Sequence, residues 1–264
     1  MPQSTIPSLL LLIFSLLTLL STAIADTSTA LQSMEDSQNP LVRISTSQGE
    51  IYLELFPLEA PSNVENFIAL AEGEKEFTNQ DTGAPIQARY YNGMRFHRVV
   101  PGFIIQAGSP AYNPLGLQVN LVDDEINANA LGLNRISALN TDGSFADVLN
   151  IQSKLGFHEA ILTPLYSQRN ITDIEAALSR QYQILETLQN LSVKSVYENQ
   201  GYRYDDSLQS RPIERGTVAL ANSGPDSNGP EFFISLTAAE WLSGKYTVIG
   251  KVVEGQEVMD SIGN

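Results

Sequence analysis

"FHRVVPGFIIQAG", residues 96–108, is the stretch on which the reading of the fold turns. It sets His97, one of only two histidines in the chain, beside Arg98 in a run that is otherwise apolar. Pro101-Gly102 marks a bend, so the wider stretch 90–110 reads as two strands joined there. Strict alternation then puts Met94, Phe96 and Arg98 on one side and Arg95, His97 and Val99 on the other. A charge in such a wall is either half of a structural ion pair or part of a binding site. Taken alone, Arg98 fits the ion pair better.

Working outward, the β signal recurs on both sides. In "LVRISTSQGEIYLELF" (41–56), Val42 and Ile44 share one face, as do Ile51, Leu53 and Leu55, with turn residues Ser47 to Glu50 between. This pattern predicts a β-hairpin. "APSNVENFIALAEGE" (60–74) predicts a helix, with Pro61 in its first turn, a stripe of Val64, Phe67, Ile68 and Ala71, and Gly73 as the stop. Downstream, "TVALAN", "EFFISL" and "YTVIGKVV" predict strands separated by Gly, Pro, Asn and Asp clusters, and "GQEVMDSIG" begins a closing helix. Phe232 and Phe233 are adjacent, so one is expected to face the core and the other a site.

Residues 132–212 differ in character. "NITDIEAALSRQYQILETLQNL" predicts one amphipathic helix, with Thr172 and Glu175 as a capping box and Ile174, Leu178, Tyr182, Leu185 and Leu188 on one stripe. The segment reads as a helical insertion in a β protein.

Composition narrows the chemistry. The chain has 264 residues and a formal net charge of −15, with no Lys/Arg cluster, so nucleic acid is not an expected partner. The absence of cysteine excludes thiol nucleophiles, disulfides and thiolate metal sites. No G-x-S-x-G frames a serine, and no G-x-x-x-x-G-K loop is present. Asp123-Asp124-Glu125 reads as a solvated acidic run rather than a metal cage, and His158 as a surface residue. At the N-terminus, Leu9 to Leu20 forms an apolar region followed by Ala23-Ile24-Ala25, the pattern of a secretory signal over 1–25 with Asp26 as the first mature residue. The rival reading is an uncleaved membrane anchor, the one route to a membrane association. Residues 26–40 read as a flexible lead-in. Export to a periplasm is expected, with another secretory or lumenal compartment as the alternative.

Three collinear blocks carry a resemblance. "FHRVVPGFIIQAG" (96–108), "ALANSGPDSNGPEFFISL" (219–236) and "WLSGKYTVIGKVVEGQEVMDSI" (241–262) resemble the successive signature blocks of the cyclophilins. "APSNVENFIALAEGE" resembles that family's first helix and "DDEIN" (123–127) its D-E-x-N loop. The likeness spans about 41–131 and 213–263, giving a cyclophilin-like domain over 41–264 interrupted by 132–212. It implies a mainly β fold, a closed eight-stranded antiparallel barrel capped by two helices.

The resemblance also implies peptidyl-prolyl cis/trans isomerisation, with no cofactor and no metal, on proline-containing unfolded or newly exported polypeptides. Carried over residue by residue, Arg98 is the catalytic group, assisted by Gln106 and Phe103. Phe103, Ile104, Phe233 and Leu242 form the proline pocket. Gln106, Ala221 and Asn222 hold the peptide backbone, and Trp241 and Tyr246 line the rim. Glu231 stands where the family commonly has Gln, where it either pairs with Arg98 or lies just off the site. Tyr246 stands where His is frequent, and Ile104 replaces Met. His97 is expected to be structural, its imidazole bonded to backbone. The alternative function is a catalytically weak proline-peptide binding module, with Glu231 quenching Arg98 and the insertion docking a partner protein.

Overall fold

The computed structural model describes residues 26–78 and 82–264; the expected leader, 1–25, lies outside the described residues. The described residues form nine strands: β1 (Leu41–Thr46), β2 (Gly49–Leu55), β3 (Glu76–Thr78), β4 (Pro85–Gln87), β5 (Arg98–Val100), β6 (Ile104–Ala107), β7 (Thr217–Leu220), β8 (Phe232–Ser235) and β9 (Val248–Glu254). The helices are α1 (Thr27–Ser33), α2 (Pro61–Glu72), α3 (Lys154–Phe157), α4 (Thr163–Gln168), α5 (Ile174–Ser179), α6 (Gln181–Asn190), α7 (Val193–Asn199) and α8 (Gln256–Gly263).

Seven strands make one antiparallel sheet in the order β1-β2-β9-β7-β8-β6-β5, while β3 and β4 pair separately. The expected closed eight-stranded barrel is therefore corrected to an open, curled sheet of seven. β1 and β5 are its two edges, and β5 has only three residues before Pro101-Gly102 turns the chain, with Gly102 at φ 69°. The curl is visible in α8, which packs against β2 near one edge and against β5 and β6 at the other.

Side-chain alternation divides the sheet. One face, with Leu53, Ile105, Val218, Phe232 and Ile234, buries Val64 and Phe67 of α2 and Val258 and Met259 of α8. This is the main core. The opposite face carries Ile104, Ala219, Phe233 and Val248. The hairpin and α2 form as the sequence predicts, with Pro61 opening the helix and Gly73 closing it in the left-handed conformation at φ 78°.

In the acidic run Asp123 is exposed as expected, but Asp124 and Glu125 are engaged by the fold. Glu125 accepts from Ser62 N and Asn63 N, both at 2.9 Å, so its carboxylate caps the positive end of α2. Asp124 accepts from Asp226 N at 2.9 Å and Asn228 Nδ2 at 3.0 Å. Burial pushes the Asp124 carboxyl above its ordinary range, against those hydrogen bonds.

Residues 26–40, expected to be a flexible lead-in, are folded. The carboxylate of Glu54, fully buried in β2, accepts from Glu35 N at 2.9 Å, Asp36 N at 3.0 Å and Asn39 Nδ2 at 2.9 Å. A buried charge needs such donors, and the chain after α1 supplies them.

The helical segment has a core of its own, built from Leu133, Leu149, Ile161, Val193, Val196 and Tyr197 among others. The single helix expected over 170–191 is two, α5 and α6, broken at Arg180 with φ −110° and ψ 11°. Its cap is Asp173, which accepts from Ala176 N at 2.7 Å, rather than Thr172. The expected apolar stripe faces solvent at Ile174, Leu178, Tyr182 and Leu185, which are 78%, 60%, 80% and 54% exposed, while Ile184 and Leu188 turn inward. His158 lies on the surface, bonded to Thr163 Oγ1 through Nδ1 at 3.1 Å.

Candidate active site

The strand register assembles the site. Arg98 pairs with Gln106 across β5–β6, Gln106 with Phe233 across β6–β8, Phe233 with Ala219 across β8–β7, and Ala219 with Val248 across β7–β9. Residues directly opposite on neighbouring strands share a face, so one row runs from a guanidinium at the sheet edge to apolar side chains at its centre. Two strand spacings, roughly 10 Å, separate the Arg98 and Phe233 backbones.

The apolar end of the row is a cluster of apolar side chains, the candidate for a shallow hollow. Ile104 and Phe233, 4% and 3% exposed, form its floor. Half-buried Phe103, Ala221, Trp241, Leu242 and Tyr246 stand around them. Phe103 and Trp241 stack with ring centres 5.9 Å apart, and Tyr246 meets Phe233 edge-on at 5.5 Å. Burial raises the Tyr246 phenol above its ordinary pKa, and the charge of nearby Arg98 opposes that shift.

The polar end is a chain of hydrogen bonds. Arg98 Nη1 donates to Gln106 Oε1 at 2.9 Å. Gln106 Nε2 donates to Glu231 Oε1, and His97 Nε2 meets the same oxygen at 3.0 Å. A carboxylate only accepts. Glu231 therefore holds the amino end of the Gln106 amide, leaving its carbonyl for Arg98, and it draws the imidazole hydrogen of His97 to Nε2. His97 Nδ1 is buried without a hydrogen-bond partner among the described residues. The imidazole stacks on Tyr112 at 4.7 Å, and Arg95 lies 5.7 Å from the far ring's centre. Among the described residues Arg98 forms no ion pair.

Two expectations change here. His97 bonds to Glu231 instead of backbone, and His97 and Arg98 converge on the same Gln106–Glu231 pair instead of facing opposite ways. The cause is local: residues 94–97 lie outside the ladder, which starts at Arg98, so alternation does not extend through them. Glu231 pairs with His97, leaving Arg98 unneutralised. Ile104, Phe233, Phe103, Ala221, Trp241, Leu242 and Tyr246 share one apolar cluster, and Asn222 follows Ala221 just beyond β7. The Asn222 side chain is engaged internally, donating to Lys245 O at 2.9 Å. Sequence reasoning missed His97 as a partner of Glu231, and periodicity carried no signal for it. Among the described residues no cluster of His, Asp and Glu is arranged to hold a metal ion.

The family profile described as cyclophilin type peptidyl-prolyl cis-trans isomerase/CLD matches residues 41–264. Peptidyl-prolyl cis-trans isomerase B of Streptomyces anulatus is 27% identical over 221 residues, covering 83% of this chain and 81% of its own length. The human peptidyl-prolyl cis-trans isomerase-like 1 is 25% identical over 228 residues, covering 86% and 81%. A solved cyclophilin-type isomerase from Cryptosporidium parvum, crystallised with the dipeptide Ala-Pro, aligns over 85% of each chain with a TM-score of 0.45 and 20% identity. With the matched residues running from the first strand of the sheet to the end of the chain, this protein belongs to the cyclophilin-type peptidyl-prolyl cis-trans isomerases.

Proposed function

We propose that Arg98 drives the isomerisation and that the hollow floored by Ile104 and Phe233 receives the proline ring. Rotation about an X–Pro bond has to break amide conjugation, a barrier of ~18–20 kcal/mol. It needs no nucleophile and no proton transfer. As the amide twists, its nitrogen regains a lone pair and becomes an acceptor. A guanidinium that reaches this nitrogen binds the twisted form and not the planar one, which is the condition for lowering the barrier. Arg suits the task because it stays charged and presents a rigid fork of donors.

The observation that carries this reading is the state of Arg98: charged, free of any ion pair among the described residues, and held by Gln106 at the margin of an apolar hollow. Gln106 fixes the guanidinium, and Glu231 fixes Gln106. The main-chain N–H and C=O of Asn222, beyond the end of β7 and free of hydrogen bonds among the described residues, suit pairing with an extended peptide. The quenched-module alternative requires Glu231 on Arg98, and its carboxylate is instead occupied by His97 and Gln106.

The test is the cis/trans rate of a proline tetrapeptide with the purified chain. Arg98→Ala is expected to lower kcat/KM by ~10²–10³, the scale for removing one preorganised charged donor. Full activity in that variant would defeat the reading.

We also propose that the clients are exported polypeptides met in a periplasm, and that 132–212 is an insertion within the isomerase domain. The first rests on the apolar run Leu9–Leu20 with Ala23-Ile24-Ala25, and the second on the separate core of the helical segment. The mass of the protein recovered from its host is expected to correspond to a chain starting at Asp26; a mass retaining residues 1–25 would overturn the cleaved-leader reading.

A further inference from the structure

Trp241, Leu242 and Tyr246 of the hollow all sit on one irregular stretch, residues 240–246, between β8 and β9. On the sheet side this loop is held by the ring contacts of Trp241 with Phe103 and of Tyr246 with Phe233, and by Asn222 Nδ2 to Lys245 O at 2.9 Å and Ile213 N to Ser243 Oγ at 3.0 Å. The helical segment grips it from the other side. Tyr204 Oη donates to Gly244 O at 2.9 Å. Tyr197 of α7 lies against Gly244 so closely that an added Cβ there would stand 3.4 Å from its ring and nearer still to Leu133. Gly244 is also in the left-handed region, at φ 85°, where glycine is favoured. The Lys245 ammonium lies 5.2 Å from the centre of the Tyr197 ring.

Tyr197 extends the grip further. Its hydroxyl donates to Val148 O at 3.2 Å, and the turn Asp147–Leu149 rests against Glu240–Leu242. Burial raises the pKa of both phenols, so both remain protonated donors across the neutral range. A segment with its own apolar core thus reaches the substrate rim at a hydroxyl, a ring face and a turn.

We propose that the helical segment braces the substrate rim: Tyr197 and Tyr204 are positioning residues that hold loop 240–246 against the hollow and set how firmly the residues flanking the proline are gripped. Bond rotation stays with Arg98. This rests on the isomerase reading and adds to it a role for the segment, whose effect falls on substrate affinity and not on the rotation step.

The test uses the purified full chain, with Tyr204→Phe, which removes one hydroxyl, and Tyr197→Leu, which removes the ring. Trp241 is the single tryptophan of the chain, so quenching of its emission by acrylamide reports directly on the rim. Tyr204→Phe is expected to raise KM for a proline tetrapeptide roughly three- to tenfold, the effect of losing one buried hydrogen bond. Its kcat is expected to stay at the wild-type value, and its Trp241 to become more accessible to quencher. Tyr197→Leu is expected to show larger changes in the same directions. Wild-type KM and wild-type quenching in Tyr204→Phe would overturn the brace, as would a fall in kcat at unchanged KM. A wild-type chain without isomerase activity would sink the isomerase reading instead, and the quenching comparison would then decide the brace on its own.

Discussion

The sheet and the helical segment solve the same problem, burying an apolar face, in opposite ways. In the sheet, both faces are covered: Phe232 goes to the main core and Phe233, also buried, to the apolar cluster on the other side. In the helical segment, short pieces close around a small core, and a stripe of large apolar side chains on α5 and α6 is left in solvent. The difference is one of period. A strand's two-residue repeat, once paired, commits every side chain to a face. A helix stripe says only that a face is apolar, and not what covers it.

The largest effect that would sharpen this contrast is expected at Phe233. Phe233→Ala removes the floor of the hollow and a ring that meets Tyr246, and is expected to cost ~3–5 kcal/mol in unfolding free energy, measured by denaturant titration. Isomerase activity should be lost with it. A loss of activity with stability unchanged would mean that Phe233 touches substrate without packing in the sheet.

Next in size is Ile161→Ala, in the core of the helical segment, expected to cost ~2–5 kcal/mol. Lost amide-exchange protection is expected to be confined to that segment. Equal loss in β6 and β8 would break the comparison, making the two cores one cooperative unit.

The smallest expected effect is that of Glu231→Gln. A glutamine at 231 can present either end of its amide, so it no longer dictates which end of Gln106 faces Arg98. A fall in kcat of roughly threefold is expected, matching about 0.7 kcal/mol of lost orientation. A large gain in kcat would revive the view that the carboxylate quenches Arg98.

Much of this was legible in the sequence, for identifiable reasons. The hairpin 41–55 and α2 follow from alternation, Pro61 and Gly73, all local signals. The row Arg98–Gln106–Phe233 was reachable through the resemblance, because its members sit inside signature blocks. What escaped needed knowledge of where a ladder starts or of contacts far apart in the chain. Residues 94–97 look like strand and are not, which hid the convergence of His97 and Arg98. Glu125 looks like solvent-facing charge until the end of α2 is placed beside it. Glu54 reads as an ordinary polar position, yet its buried carboxylate organises residues 35–39. Tyr197 and Tyr204 carry no motif, and their contacts with Gly244 join residues some forty positions apart or more. Closure could not be read from strand count, since β3 and β4 pair outside the main sheet.

The central claim is that Arg98 acts on the twisted amide while the hollow does the holding. It is tested most directly by measuring, on one proline peptide, both the dissociation constant and the cis/trans exchange rate of the bound form by NMR line-shape analysis, for wild type and Arg98→Ala. The bound-state exchange rate is expected to fall by ~10²–10³ while the dissociation constant changes only a few-fold. An Arg98→Ala variant that binds weakly yet isomerises its bound peptide at the wild-type rate would contradict it.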